Sequence, residues 1–195
     1  MKFSLFDHME DCSLEEVEQL FSKVAPQRRQ QALNFKHLFG QYACLKSYVM
    51  LHQMLLEEHL IPDDELPEFE VGAHGKPTIK GHPHVHFNIS HCKHAILVAV
   101  DHQPIGVDVE RIVAPKPQLI DYTMTPEEAQ AIRTSQQPDV EFTRLWTQKE
   151  ALLKFQGTGI QGGLKEALTS PTPHLTIHTY ENIEKQYIYS IAYTN

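Results

Sequence analysis

The segment Pro104, Ile105, Gly106, Val107, Asp108, Val109, Glu110 constrains the fold more tightly than any other stretch of the chain. Alternate residues of a β-strand point to opposite faces, so Ile105, Val107 and Val109 share one face and Asp108 and Glu110 share the other. One face must lie on a core while the other carries two carboxylates side by side. Such a pair repels itself, and either its pKa values rise or a cation sits between the two groups. Mg²⁺ is the natural occupant, because it is a hard ion that takes oxygen ligands and keeps positions open for water and phosphate.

A second segment, Phe142 to Gln156, is predicted to be helical. Phe142, Leu145, Trp146, Leu152 and Leu153 recur at helix spacing, and Gly157 is placed to end it. Glu150 and Lys154 are four residues apart and project from one side. A surface salt bridge and a charged strand end would account for either segment alone. Together they make a stronger signal, since the strand pair leaves a metal short of ligands and Glu150 would supply another.

Elsewhere, Ser13 with Glu16 predicts a capping box ahead of a short helix buried through Leu14, Val17, Leu20 and Phe21. Pro26 opens a second helical stretch, and His37 to Glu58 predicts a long helix despite Gly40. Val85, Phe87 and Ile89 alternate with polar residues as a half-buried strand, with Ala95 to Val100 as its hairpin partner. Thr125, Pro126 and Glu128 mark another helix start. Leu175 with Ile177, and Tyr187 with Tyr189, Ile191 and Tyr193, predict a last pair of strands around a polar loop. Each half of the chain therefore offers helices and a hairpin.

A chain of 195 residues buries about 70% of its unfolded surface and needs no staples. Three scattered cysteines, Cys12, Cys44 and Cys92, and the lack of an apolar leader behind a basic start argue against a secreted disulfide scaffold and place the chain in the cytoplasm. No stretch approaches the roughly 20 apolar residues that cross a bilayer, so no membrane role is expected. A net charge of −8 argues against nucleic acid as a partner, because Lys and Arg supply that affinity. Seven acids, Glu57, Glu58, Asp63, Asp64, Glu65, Glu68 and Glu70, cluster without a Lys or Arg among them and predict a solvated helix end and loop.

Four strings, in this order and at these separations, resemble the 4′-phosphopantetheinyl transferases of the larger, monomeric, surfactin-synthetase-activating type: Gly75-Lys76-Pro77; Phe87-Asn88-Ile89-Ser90-His91; Gly106-Val107-Asp108-Val109-Glu110; and Trp146 with Lys149, Glu150, Ala151 and Lys154. The resemblance covers most of the chain. It implies an α+β fold of two similar α/β subdomains, residues 1–103 and 104–195, related by a pseudo-twofold axis with coenzyme A in the cleft. It also implies Mg²⁺-dependent transfer of phosphopantetheine from coenzyme A to a serine of an apo acyl or peptidyl carrier protein, releasing 3′,5′-ADP. Asp108, Glu110 and Glu150 are then the metal ligands, and Glu150, or a water held by it, is the base. Lys154 stabilises the departing phosphate and Lys149 reaches a neighbouring oxygen. Ser90 and His91 bind phosphates, Gly75, Lys76 and Pro77 approach the adenine, and Arg28 contacts the 3′-phosphate.

The chain departs from the family where Gln31 and Ala43 replace common cations, with Lys36 and Lys46 as substitutes, and where Cys92 replaces a serine and is expected to serve packing. Carrier selectivity is expected around Thr123 to Ile132, and a monomer is expected because two halves in one chain supply the whole cleft. Two other functions compete. A zinc-binding histidine-rich module is suggested by His82, His84, His86, His91, Cys92 and His94, which fall within thirteen residues. A Mg²⁺-dependent phosphohydrolase or nuclease would use the same acids and lysines, but needs a longer basic track than Arg28 to Lys46.

Overall fold

The computed structural model describes residues 1–72, 75–159, 163–170 and 172–194. In the first half, β1 (Lys2–Phe6) is followed by a single 3-10 turn at Met9–Asp11 and three helices, α1 (Leu14–Phe21), α2 (Pro26–Leu33) and α3 (Leu38–Glu57). A small hairpin, β2 (Phe69–Val71) with β3 (Pro77–Ile79), leads to β4 (His86–His91) and β5 (Ile96–Asp101). The sheet order is β1-β5-β4, antiparallel throughout. Ser13 Oγ accepts the Glu16 N–H at 3.2 Å at the start of α1, the half of the predicted capping box that forms among the described residues. Leu14 departs from the expected stripe: it is 69% exposed, and Val17 and Leu20 carry the burial.

β5 explains why its sequence does not alternate. Ile96, Val98 and Val100 pack with Tyr42, Leu45, Tyr48, Leu51 and Leu55 of α3, whereas Leu97 and Ala99 join a second cluster with Ile105, Val107, Val109 and Ile191. A strand covered on both faces reads as a continuous apolar run.

The second half contains β6 (Ile105–Arg111), α4 (Pro117–Thr123), α5 (Pro126–Thr134), α6 (Pro138–Gln156), β7 (Leu175–Asn182) and β8 (Tyr187–Thr194). Its antiparallel sheet has the order β6-β8-β7, so β6 is an edge strand. The Thr125–Glu128 capping box opens α5 as predicted, and Gly157 ends α6 with φ +71°. Neither β1 nor α4 was anticipated from the sequence. Among the described residues, no helix is long and apolar enough to cross a membrane.

Helix α6 lies on the face of the second sheet opposite the inter-sheet core. Thr147 shares a 2.9 Å hydrogen bond with Ser190, and Gln148 donates to Thr179 at 3.0 Å. Gly106 allows this approach, since a Cβ there would sit inside the contact distance of the Ala151 carbonyl oxygen and the Phe155 nitrogen. Both are backbone atoms of α6 and cannot swing aside. Gly106→Ala is therefore expected to cost about 3 kcal/mol and lower Tm by roughly 6–12 °C, read by differential scanning calorimetry. An unchanged Tm would mean that α6 does not rest on β6 at this point.

Candidate active site

Asp108 and Glu110 stand on the α6 face of β6, and α6 presents Trp146, Glu150 and Lys154 along one stripe at intervals of four residues. With Ile89, Ser90 and His91 at the end of β4 they line a cleft of about 400 Å³. Three groups close a triangle. Lys154 Nζ donates to Asp108 Oδ1 at 2.6 Å and to Ser90 Oγ at 3.1 Å, and Ser90 Oγ donates to Asp108 Oδ1 at 2.8 Å. Ser90 Oγ also accepts the Val109 N–H at 3.3 Å, so in this arrangement its one donor and two acceptor positions are all used. The expected role of Ser90 in holding a phosphate thus competes with its hold on Asp108.

The cleft contains more negative than positive charge. Asp108 is 3% exposed and Glu150 9%. Asp108 Oδ2 and Glu150 Oε1 are buried without a hydrogen-bond partner. An ionised carboxylate oxygen only accepts, so each calls for a proton, a donor or a cation. Burial, together with the charges of Asp108 and Glu150, pushes the Glu110 carboxyl up to about 7 against the opposing charge of Lys154. Burial and Asp108 raise Glu150 in the same way. His91 keeps one side open to solvent, yet packing in the cleft and the nearby charges of Lys154 and Arg28 hold its imidazole below the ordinary value.

Among the described residues, no three His, Cys, Asp or Glu groups form a preassembled metal cage. Lys154 is the cation resting on Asp108 instead. The donor set is nonetheless of the kind a hard divalent ion takes: three carboxylates, Asp108, Glu110 and Glu150, with two buried oxygens unpaired.

Of the other residues singled out from sequence, Gly75, Lys76 and Pro77 lie at an adjoining cavity of about 260 Å³ that shares Lys154 with the cleft and includes Asn88 and Gly157. Gly75 has φ +82°, as a tight turn requires, while Ala73 and His74 are outside the described residues. The Lys76 ammonium does not point to open space. It donates to the carbonyls of Lys154 (2.7 Å), Ile105 (3.1 Å) and Phe155 (3.4 Å), neutralising the C-terminal end of α6.

Lys149 requires a correction. It is 0% exposed, and its three N–H groups go to Glu128 Oε2 (2.6 Å), the Lys165 carbonyl (2.6 Å) and the Thr123 carbonyl (3.1 Å). The α6 stripe that faces the cleft contains 146, 150 and 154, so residue 149 projects toward α5 and cannot reach a phosphate there.

Arg28 spends its guanidinium on the Cys44 carbonyl (2.9 Å), Ser47 Oγ (3.0 Å) and Gln31 Oε1 (2.8 Å), close enough for its charge to act on His91. Lys36 is exposed in the α2–α3 connection, and Lys46 places its ammonium 4.2 Å from the centre of the Phe6 ring; neither lines the acidic cleft. Cys92 packs beside the inter-sheet cluster, and burial raises its thiol pKa, which suits packing rather than nucleophilic attack. Among the described residues, no three of these groups converge as metal ligands: His82 binds Glu65 at 2.8 Å with its ring 6.1 Å from that of His84, while His91 belongs to the cleft. Within 123–132, Thr123, Met124, Thr125, Ala129 and Ile132 are buried, and the exposed apolar residues Leu119 (38%) and Tyr122 (79%) stand just before them on α4.

Comparison with known proteins adds an independent line. Residues 104–192 match the model of the 4′-phosphopantetheinyl transferase superfamily. The chain is 30% identical over 151 residues to the 4′-phosphopantetheinyl transferase psf-1 of Bacillus pumilus, covering 76% of this chain and 64% of that protein. It is 32% identical over 151 residues to a 4′-phosphopantetheinyl transferase of Bacillus subtilis, covering 74% and 65%. With the 4′-phosphopantetheinyl transferase Sfp of Bacillus subtilis strain 168 it is 28% identical over 153 residues, covering 76% and 66%. The chain spans slightly less than two thirds of the length of these relatives.

Two outcomes follow from the geometry. Lys149→Ala removes the ammonium that Glu128 and two carbonyls share and is expected to destabilise the protein by about 3–5 kcal/mol in chemical denaturation; a loss below about 1 kcal/mol would contradict the buried pairing. Because Glu110 holds its proton more tightly when folded than the ordinary value of 4.5 allows, native stability falls as pH rises from about 4.5 through about 7. In chelator-treated buffer, Glu110→Gln should therefore melt a few degrees above the parent at pH 8 and level with it near pH 5, on a scale of ~2–4 °C per kcal/mol. A difference independent of pH would refute this assignment.

Proposed function

We propose, from the match of residues 104–192 to the model of the 4′-phosphopantetheinyl transferase superfamily, that this protein moves 4′-phosphopantetheine from coenzyme A to a serine of an apo acyl or peptidyl carrier protein and releases 3′,5′-ADP. The observation that carries this reading is the cleft itself: three carboxylates, two of them with buried unpaired oxygens, set against one partly exposed lysine, Lys154.

Asp108, Glu110 and Glu150 would hold Mg²⁺, which when bound supplies Lewis-acid polarisation of the pyrophosphate worth several kcal/mol of barrier. Within the chain's own machinery, the raised affinity of Glu150 for a proton suits it to take the proton of the attacking serine hydroxyl. The serine oxygen bonds to the phosphorus that bears pantetheine, and the bond from that phosphorus to the oxygen leading to the other phosphate breaks. Lys154, 29% exposed, faces the charge that develops on the departing oxygen. His91 offers one N–H from the same cleft wall in its neutral form. The cavity beside Gly75, Pro77 and Asn88 receives the adenine, and Arg28 lends positive charge near His91 in the cleft. We read the halves, 1–103 and 104–195, as two subdomains about a pseudo-twofold axis that act as a cytoplasmic monomer, since both contribute walls to the one cleft.

Intact mass spectrometry of an apo acyl carrier protein and an apo peptidyl carrier protein, each incubated with this protein, coenzyme A and Mg²⁺, tests the proposal. The expected result is a phosphopantetheine mass gain that requires Mg²⁺ and falls at least about 10²-fold in rate with Asp108→Ala, the scale of removing one preorganised charge-stabilising group. No gain on either carrier would overturn it.

A further inference from the structure

Among the described residues, the edge of β6 that faces away from β8 has no strand partner, yet three of its backbone groups are occupied. Three side chains of the first half supply what a strand would have supplied. Lys76 Nζ donates to the Ile105 carbonyl at 3.1 Å, Asn88 Oδ1 accepts the Val107 N–H at 2.7 Å, and Ser90 Oγ accepts the Val109 N–H at 3.3 Å. Asp108 sits between the two pinned amides.

These three contacts are not equivalent. Ser90 also touches Asp108 and Lys154, so it belongs to the cleft, and Lys76 divides its bonds between Ile105 and the end of α6. Asn88, which also lines the adjoining cavity, reaches Asp108 through the backbone. It is 7% exposed, its oxygen makes the shortest of the three edge bonds, and the amide it holds immediately precedes Asp108. An unpaired buried N–H costs about 1–3 kcal/mol, so β6 would shift to recover an acceptor if Asn88 could not provide one. Any such shift rotates or translates the Asp108 carboxylate against Glu150 and Lys154, which are fixed independently by α6.

We propose that Asn88 is a positioning residue for Asp108: its side-chain oxygen sets the register of β6 against β4 and so the aim of the carboxylate that binds the metal and faces the phosphate. This rests on the assignment of Asp108 under Proposed function. It gives the asparagine of the Phe87–His91 string a role distinct from the hydroxyl and imidazole that follow it.

The test uses the whole protein and Mg²⁺ as the only ligand. Mg²⁺ is titrated while thermal unfolding is followed for the parent, Asn88→Leu and Asn88→Ser, and the Mg²⁺ dependence of carrier modification is measured in parallel. Asn88→Leu removes the acceptor at similar size. Its half-saturating Mg²⁺ concentration is expected to rise about tenfold in both assays, as for loss of a group that orients a metal ligand. Asn88→Ser, which offers the kind of hydroxyl acceptor Ser90 gives Val109, is expected to recover most of that loss. A folded Leu variant with unchanged half-saturation, or a Ser variant no better than Leu, overturns the positioning role. If the Leu variant does not fold, the Ser variant alone decides, with a two- to threefold rise expected and no change overturning the role. A parent that Mg²⁺ does not stabilise also overturns it. A parent that Mg²⁺ stabilises but that modifies no carrier sinks the transferase reading while the thermal shifts still decide the role of Asn88.

Discussion

The 2.6 Å ion pair between Lys154 and Asp108 joins the last turn of α6 to the middle of β6, and the geometry of the cleft depends on it. Asp108 is almost fully buried, and a charge withdrawn from water persists only when it is paired and hydrogen-bonded. Lys154 and Ser90 satisfy one of its oxygens, and the other is buried without a hydrogen-bond partner. The pair can form because Gly106, two residues before Asp108, lets α6 rest on β6 without a side chain between them. A single missing methyl group and a single ion pair thus bring two carboxylates of a strand together with one of a helix.

Three lysines near this junction have different fates, although sequence presents them alike. Lys154 stays partly exposed at the cleft, bound to Asp108 and Ser90. Lys76 is consumed by carbonyls at the C-terminal end of α6, and burial lowers its pKa without a carboxylate to offset that cost. Lys149 lies wholly inside, where it ties the capping box of α5 to the end of α4 and the turn near Lys165. In each case the neighbouring acceptors decide the role. Backbone carbonyls at helix ends lack intrahelical partners and take up any ammonium that can reach them.

Much of the scaffold could be read from local pattern. The β6 alternation, the capping box at Thr125, the stop at Gly157 and the stripe of Glu150 with Lys154 all depend on short-range periodicity or on one residue's backbone preference. β1 was not legible, because Lys2 to Phe6 is short and mixed and becomes a strand only by pairing with β5. Asn88 could be placed on a strand but not given a task, since its partner lies nineteen residues away on a strand that makes no backbone ladder with it. Lys36 and Lys46 stood alike in the sequence as substitutes for the missing cations; the structure distinguishes them by the Phe6 ring beneath one.

By itself, the sequence determined the chemistry available: two acids on one face of a strand, an acid and a lysine one turn apart on a helix, and the turn and cap residues that bound these elements. Those properties follow from the fixed periods of strand and helix, which any chain with these residues must obey. Tertiary structure alone decided which of the charged groups meet. Whether a lysine faces a cleft or a carbonyl, and whether an asparagine substitutes for a missing strand, depends on contacts between segments far apart in the chain, and local periodicity carries no information about them.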